Sequence, residues 1–243
     1  MKTKNPGRSP IALLGGCYFE TMVRLKRIEI VGYDRAKLDP DGKGMVVICN
    51  HASMLEAAYL PFLTFPWYVM DDRRFLYSLP DKDNIYDKKW FVPLRKFCIP
   101  MSRQNNRVVP GTIKELRDFL EVKHGSTGLF PEAGRTFKAK RARGRGAKTS
   151  KYGNEIAAFP KAVRRLFVGA TFKVVPVWFE GGEKVIPNKY ELGKTLFTPW
   201  RIWRKVHIYI GEPFYVTDLG KNEVVGRLED SLLELADRYV KRK

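Results

Sequence analysis

Residues Met45-Val46-Val47-Ile48-Cys49 are apolar without interruption. A strand with one face in water alternates apolar and polar residues; an unbroken run suits a central strand buried on both faces. Such a strand needs a layer packed above and below it, and the rest of the chain supplies candidates for both. Arg27 to Gly32, Thr127 to Phe130, Phe172 to Phe179 and Val206 to Ile210 read as further strands, and Ile99 to Ser102 as a short one. A helix is expected from near Ser53, with Ser53 and Glu56 in the capping-box pattern. Another is expected from Pro110 to Gly125, with Thr112 and Glu115 as a second capping box and Ile113, Leu116, Phe119 and Leu120 on one face. The spacing predicts a helix from about Glu155 to Phe167, kinked at Pro160. A terminal amphipathic helix is expected over Asn222 to Val240, burying Val225, Leu228, Leu232, Leu235 and Tyr239. Pro61 to Lys89 reads as loops and short helices, and Lys138 to Lys151 as a basic loop. Strands and helices alternate without a repeat, so the class is α/β with a mixed sheet.

A chain of 243 residues fits one domain with a sizeable core. Its 45 Lys and Arg against 26 Asp and Glu give a formal charge of +19. That field attracts polyanions: nucleic acid, anionic lipid headgroups or phosphorylated substrates. The three cysteines, Cys17, Cys49 and Cys98, are widely spaced and favour a reduced setting. None of His51, His124 and His207 stands at metal-ligand spacing from another His or Cys, which argues against a zinc site. No apolar run reaches the roughly 18 to 20 residues that span a bilayer. Residues 1–26 read as an amphipathic N-terminal segment, either docked on the core or lying in a membrane interface, ahead of a domain over 27–243.

Two stretches carry candidate chemistry. His51 follows the buried strand and precedes a helix, where an α/β fold exposes functional groups. Glu56 is five positions on, about 140° away on a regular helix, so the two meet only if His51 lies in the turn before the helix. A carboxylate on one ring nitrogen would orient the imidazole and raise its basicity. The alternative is that Glu56 only closes the capping box. The second stretch, Phe130-Pro131-Glu132-Ala133-Gly134-Arg135-Thr136, presents a carboxylate and a guanidinium on a tight turn. Arginine there suits a phosphate; a surface salt-bridge turn is the alternative.

Asn50-His51-Ala52-Ser53-Met54-Leu55-Glu56 resembles the first signature block of the glycerolipid acyltransferases, Asn-His-x-x-x-x-Asp, and Phe130 to Thr136 resembles the third, Phe-Pro-Glu-Gly-Thr-Arg-Ser. Cys98 to Arg107 is similar to the second block, and Val174-Val175-Pro176-Val177 to the fourth, in the family's order. Glu56 stands for the usual Asp, and Ala133-Gly134 for Gly-Thr. The resemblance, to the 1-acylglycerol-3-phosphate and lysophospholipid acyltransferase type, implies a glycerol-3-phosphate acyltransferase-like fold with a mixed, mostly parallel sheet flanked by helices. It implies transfer of a fatty acyl group from acyl-CoA or acyl-carrier protein to the hydroxyl of 1-acylglycerol-3-phosphate, forming phosphatidic acid. By that resemblance His51 is the general base and Glu56 holds it. Arg103, Glu132, Gly134, Arg135 and Thr136 bind the acceptor headgroup, and Val175 and Pro176 lie beside the acyl pocket. It implies no metal and no cofactor beyond the acyl co-substrate, and a peripheral place on the cytoplasmic face of an anionic membrane. Another lysolipid acceptor, such as a lyso-ornithine lipid or a lipid A precursor, keeps the same chemistry. A nucleic-acid-binding reading rests on Lys138 to Lys151 with Tyr152, and leaves His51-Glu56 and Glu132-Arg135 unexplained. Ala142 to Thr149 echoes a phosphate-binding loop but has Ala where Gly is required.

Overall fold

The computed structural model describes residues 5–39, 42–104, 107–132, 146–160, 163–186, 201 and 203–241. The strands are β1 (Ile28–Gly32), β2 (Met45–Cys49), β3 (Leu76–Ser78), β4 (Arg103–Gln104), β5 (Arg107–Val108), β6 (Ser126–Leu129), β7 (Ala147–Thr149), β8 (Glu155–Ala157), β9 (Lys173–Glu180) and β10 (Val206–Ile210). The helices are α1 (Pro10–Arg24), α2 (Leu55–Tyr59), α3 (Trp67–Met70), α4 (Pro110–Glu121), α5 (Arg164–Phe167), α6 (Gly182–Val185) and α7 (Glu223–Tyr239). Six strands form one sheet in the order β1-β10-β9-β2-β6-β3; β4-β5 and β7-β8 are separate hairpins. Every pairing in the main sheet is parallel except β10 with β9. The expected mixed, mostly parallel α/β sheet is thus the observed one.

All five residues of β2 are completely buried, and successive side chains point to opposite faces. Val46 and Ile48 join a cluster with Leu116 and Leu120 of α4 and Leu228 and Leu232 of α7. Met45, Val47 and Cys49 join the other, with Phe19 of α1 and Leu55 and Tyr59 of α2. Each full aliphatic burial contributes about 1.5–3 kcal/mol, so this one strand couples both helical layers. α1 packs on the body through Ala12, Gly16 and Phe19, and the Tyr68 hydroxyl donates to the Ala12 carbonyl at 2.8 Å. No helix among the described residues is long and apolar enough to cross a membrane.

Several local expectations are corrected. Glu155 to Phe167 is not one helix. Glu155–Ala157 pairs antiparallel with Ala147–Thr149, and among the described residues of this stretch only Arg164–Phe167 is α-helical. Ile156 and Ala157 find complete burial in that hairpin, and Pro160 lacks the N–H that a helix interior would need. The second capping box does not form. α4 starts at Pro110, whose fixed φ suits the first helical position, so Thr112 sits inside the first turn and Val109 caps without a side-chain bond. The same helix stops at Glu121, short of Gly125. In place of a strand over Ile99 to Ser102 there are isolated bridges at Cys98 and Met101. Leu76-Tyr77-Ser78, inside the stretch expected to be irregular, is the edge strand β3. Three residues are too few for alternation to show.

Candidate active site

β2 and β6 run parallel, so the segments that follow them leave the sheet at the same end. His51 follows β2, and Phe130, Pro131 and Glu132 follow β6. This is where open α/β sheets bind ligands.

The Asn50 side chain extends the ladder beyond β2. Its Nδ2 donates to the Phe179 carbonyl at 3.0 Å, and its Oδ1 accepts from the Phe179 N–H at 2.8 Å. That pair of bonds fixes the chain as it enters the His51 turn. The His51 ring then stacks on Phe130, with centroids 4.3 Å apart and planes 23° apart. Its Nδ1 lies 3.6 Å from Glu56 Oε2, and its side chain is only 13% exposed. His51 therefore occupies the turn before α2, the placement that the five-residue spacing demands if the two groups are to meet.

Glu56 is fully buried. Its carboxylate accepts from the Ser53 N–H at 2.9 and 3.0 Å and from the Ser53 hydroxyl at 2.9 Å. The Ser53 oxygen accepts in turn from the Leu55 N–H at 3.0 Å. The capping-box half that runs from Glu56 back to Ser53 is therefore formed, and the same carboxylate faces the imidazole. The two sequence readings of Glu56 describe one arrangement. The Gly181-Gly182 turn closes over it. A Cβ on Gly182 would stand 2.6 Å from Ser53 Oγ and 2.7 Å from Glu56 Oε1, and Gly181 has φ of +86°. Only glycine permits that approach without displacing the carboxylate.

Glu132 is also fully buried. One oxygen accepts from the His51 N–H and the other from the Ala157 N–H, both at 2.8 Å. This carboxylate joins the histidine turn to β8, two segments that the sheet leaves unconnected. The sequence reading assigned Glu132 to the acceptor headgroup; in the structure each of its oxygens accepts a backbone N–H. Cys49, immediately before the site, is a neutral thiol. Burial pushes its pKa well up, and the negative charges of Glu56 and Glu132 push it further, so it is no thiolate nucleophile.

The remaining residues singled out in the sequence are distributed differently. Arg103, in β4, pairs with Asp81 at 3.2 Å. Val175 and Pro176 are buried in β9, opposite Val47 and Ile48 of β2. Gly134, Arg135 and Thr136 lie outside the described residues. Sequence reasoning missed three contributors: Phe130 as a stacking platform, the Asn50 clamp and Gly182. Only the Gly-Gly pair after a strand was a visible signal. Among the described residues no three His, Cys, Asp or Glu side chains are grouped to hold a metal ion.

Residues 27–180 match the family model described as Acyltransferase. The chain belongs to the acyltransferase family. The match runs from just before β1 through β9 and includes His51, Glu56 and Glu132. No curated protein matches the chain. Its fold is similar to the crystal structure of the 1-acyl-sn-glycerophosphate (LPA) acyltransferase PlsC from Thermotoga maritima, with a TM-score of 0.61. The two are 16% identical, over 100% of this chain and 85% of that one. At that identity the likeness is one of fold. The acyltransferase carries its His51-Glu56 pair at the C-terminal end of the central strand of that fold.

Proposed function

We propose that this acyltransferase moves a fatty acyl group from acyl-CoA or acyl-carrier protein to the free hydroxyl of 1-acylglycerol-3-phosphate, forming phosphatidic acid, with His51 as general base. The observation that carries the reading is the imidazole stacked on Phe130 with Nδ1 directed at a buried carboxylate. Held that way, the ring presents Nε2 on its opposite edge. Nε2 takes the proton of the acceptor hydroxyl as its oxygen attacks the thioester carbonyl. The tetrahedral intermediate collapses, the C–S bond breaks, and the imidazolium returns the proton to the departing thiolate. Glu56 stabilises the imidazolium while it exists. A base positioned in this way supplies roughly 10² to 10⁴ in rate. The ester forms directly between the two substrates, without an acyl-enzyme, in keeping with the neutral Cys49 thiol. Arg103 and Arg135 are the proposed partners of the acceptor phosphate, and Val175 and Pro176 back the acyl chain. The enzyme works peripherally on the cytoplasmic face of an anionic membrane, held by its positive charge.

The test follows free thiol released from oleoyl-CoA in the presence of lysophosphatidic acid. Wild type releases thiol and makes phosphatidic acid, and His51→Ala abolishes both. Undiminished turnover in His51→Ala overturns the assignment of the base. Release with a lyso-ornithine lipid or another lysophospholipid, and none with lysophosphatidic acid, moves the acceptor without changing the chemistry.

A further inference from the structure

We propose that residues 88–97 form a docking surface for an anionic lipid bilayer, along the outer edge of the sheet beside β3. Lys89–Phe97 is a 3-10 helix, in which residues three apart fall into one row. Phe91 and Phe97 turn inward and both rings are buried, while Leu94, between them in the same row, is 36% exposed. Phe97 packs on Phe75, centroids 5.7 Å apart, in a cluster with Ala12 and Tyr68. The other rows hold Trp90, Pro93 and Lys96, and Lys89, Val92 and Arg95. Trp90 is 54% exposed and Val92 52%.

Cations share the segment with these exposed apolar side chains. Lys88, Lys89, Arg95 and Lys96 lie within the segment, and no Asp or Glu occurs from 88 to 114. Arg95 donates from Nε to the Tyr86 carbonyl at 2.8 Å; the three lysines are exposed. An exposed indole, exposed aliphatic side chains and exposed lysines on one short helix are the chemistry of a membrane interface: the ring sits at headgroup depth and the ammonium groups meet acidic lipid. The charge complementarity selects a bilayer with anionic headgroups.

Its place follows from the topology. The excursion leaves β3 at Ser78 and returns to the same spot, where the Ile99 N–H donates to the Ser78 carbonyl at 2.9 Å and the Met101 N–H to the Pro80 carbonyl at 2.8 Å. β3 is parallel to β6 and β2, so the excursion leaves the sheet at the end where His51 and Glu132 stand; Cys98 and Met101 bridge Ser78 and Asp81 in parallel and Phe97 packs on Phe75, so the helix runs from that end back along the outer edge of β3. A bilayer docked on this edge meets the start of the helix, Lys88 to Trp90, toward the end of the sheet an acceptor lipid would enter, a purpose that rests on the lipid-acceptor reading above.

The experiment pellets the full chain with vesicles of phosphatidylcholine, with and without phosphatidylglycerol. Wild type binds the anionic vesicles more tightly. Each surface cation is worth about fivefold, so Lys88→Gln/Lys89→Gln/Lys96→Gln weakens that binding on the order of 100-fold. Trp90→Ser/Val92→Ser weakens it about tenfold, and Val122→Ser, at the opposite end of the sheet, leaves it unchanged. Melting curves confirm folding; should the apolar variant unfold, the lysine variant decides alone. Wild-type affinity in the folded lysine variant overturns the proposal, as does an apolar variant that alters self-association and not vesicle binding. Thiol release with a short-chain, monomeric lysophosphatidic acid stays at the wild-type rate in both variants. Vesicle binding lost in the variants while wild type acylates no lipid leaves the docking surface standing and removes the acceptor reading.

Discussion

Two carboxylates divide the support of His51. Glu56 faces the ring nitrogen, and Glu132 holds the backbone N–H of the same residue. Glu56→Gln keeps the shape and removes the negative charge that the proposed mechanism uses to stabilise the imidazolium. We expect kcat to fall by about 10² to 10⁴ with KM little changed, measured by steady-state thiol release. Gly182 tests the same pair from behind. In Gly182→Ala the new methyl would stand within 2.7 Å of Ser53 Oγ and Glu56 Oε1, so the carboxylate or α6 must move. Overpacking of this kind costs about 1–3 kcal/mol, read by denaturant melts, and kcat falls together with stability. A Gly182→Ala protein with wild-type kcat would show that Glu56 tolerates displacement.

Among the elements, the β7-β8 hairpin reaches furthest. Its Ala157 N–H bonds Glu132 at 2.8 Å, and its other end is fastened to α7. Asn154 Nδ2 donates to Asp237 at 2.8 Å and to the Val240 carbonyl at 2.7 Å, and the Ser150 hydroxyl also bonds Asp237. Lys148 pairs with Asp230 at 2.8 Å. The C-terminal helix thereby steadies the strand that Glu132 grips. Asp237→Ala leaves the buried Asn154 amide short of an acceptor, a loss of about 1–3 kcal/mol. Hydrogen exchange should rise first at 147–157, with a smaller drop in kcat. Unchanged exchange in that hairpin would dissociate α7 from the site.

The charge of +19 belongs to the whole molecule. Its long-range part is screened by salt: the Debye length falls from about 10 Å at 0.1 M to about 3 Å at 1 M. We expect acylation of an acceptor presented in anionic vesicles to fall over that range, and acylation of a monomeric short-chain acceptor to change little. Equal salt sensitivity for both would place the dependence in the site. The same separation of local from collective effects decides what could be read without coordinates. The apolar run at 45–49, the alternation at 206–210 and the periodicity at 222–240 determine their elements locally, because burial on two faces, one face or one stripe leaves its mark residue by residue. The five-residue step from His51 to Glu56 likewise required a turn before the helix. Only the tertiary structure decided that 155–157 is a strand: it pairs with 147–149 just across a short turn, but two strands of three residues each are too short for alternation to show. It alone turned Glu132 toward two backbone N–H groups and set Phe130 and Gly182 against His51 and Glu56. Those contacts join segments up to about 130 positions apart, and no periodicity within a segment records which distant surface it will meet.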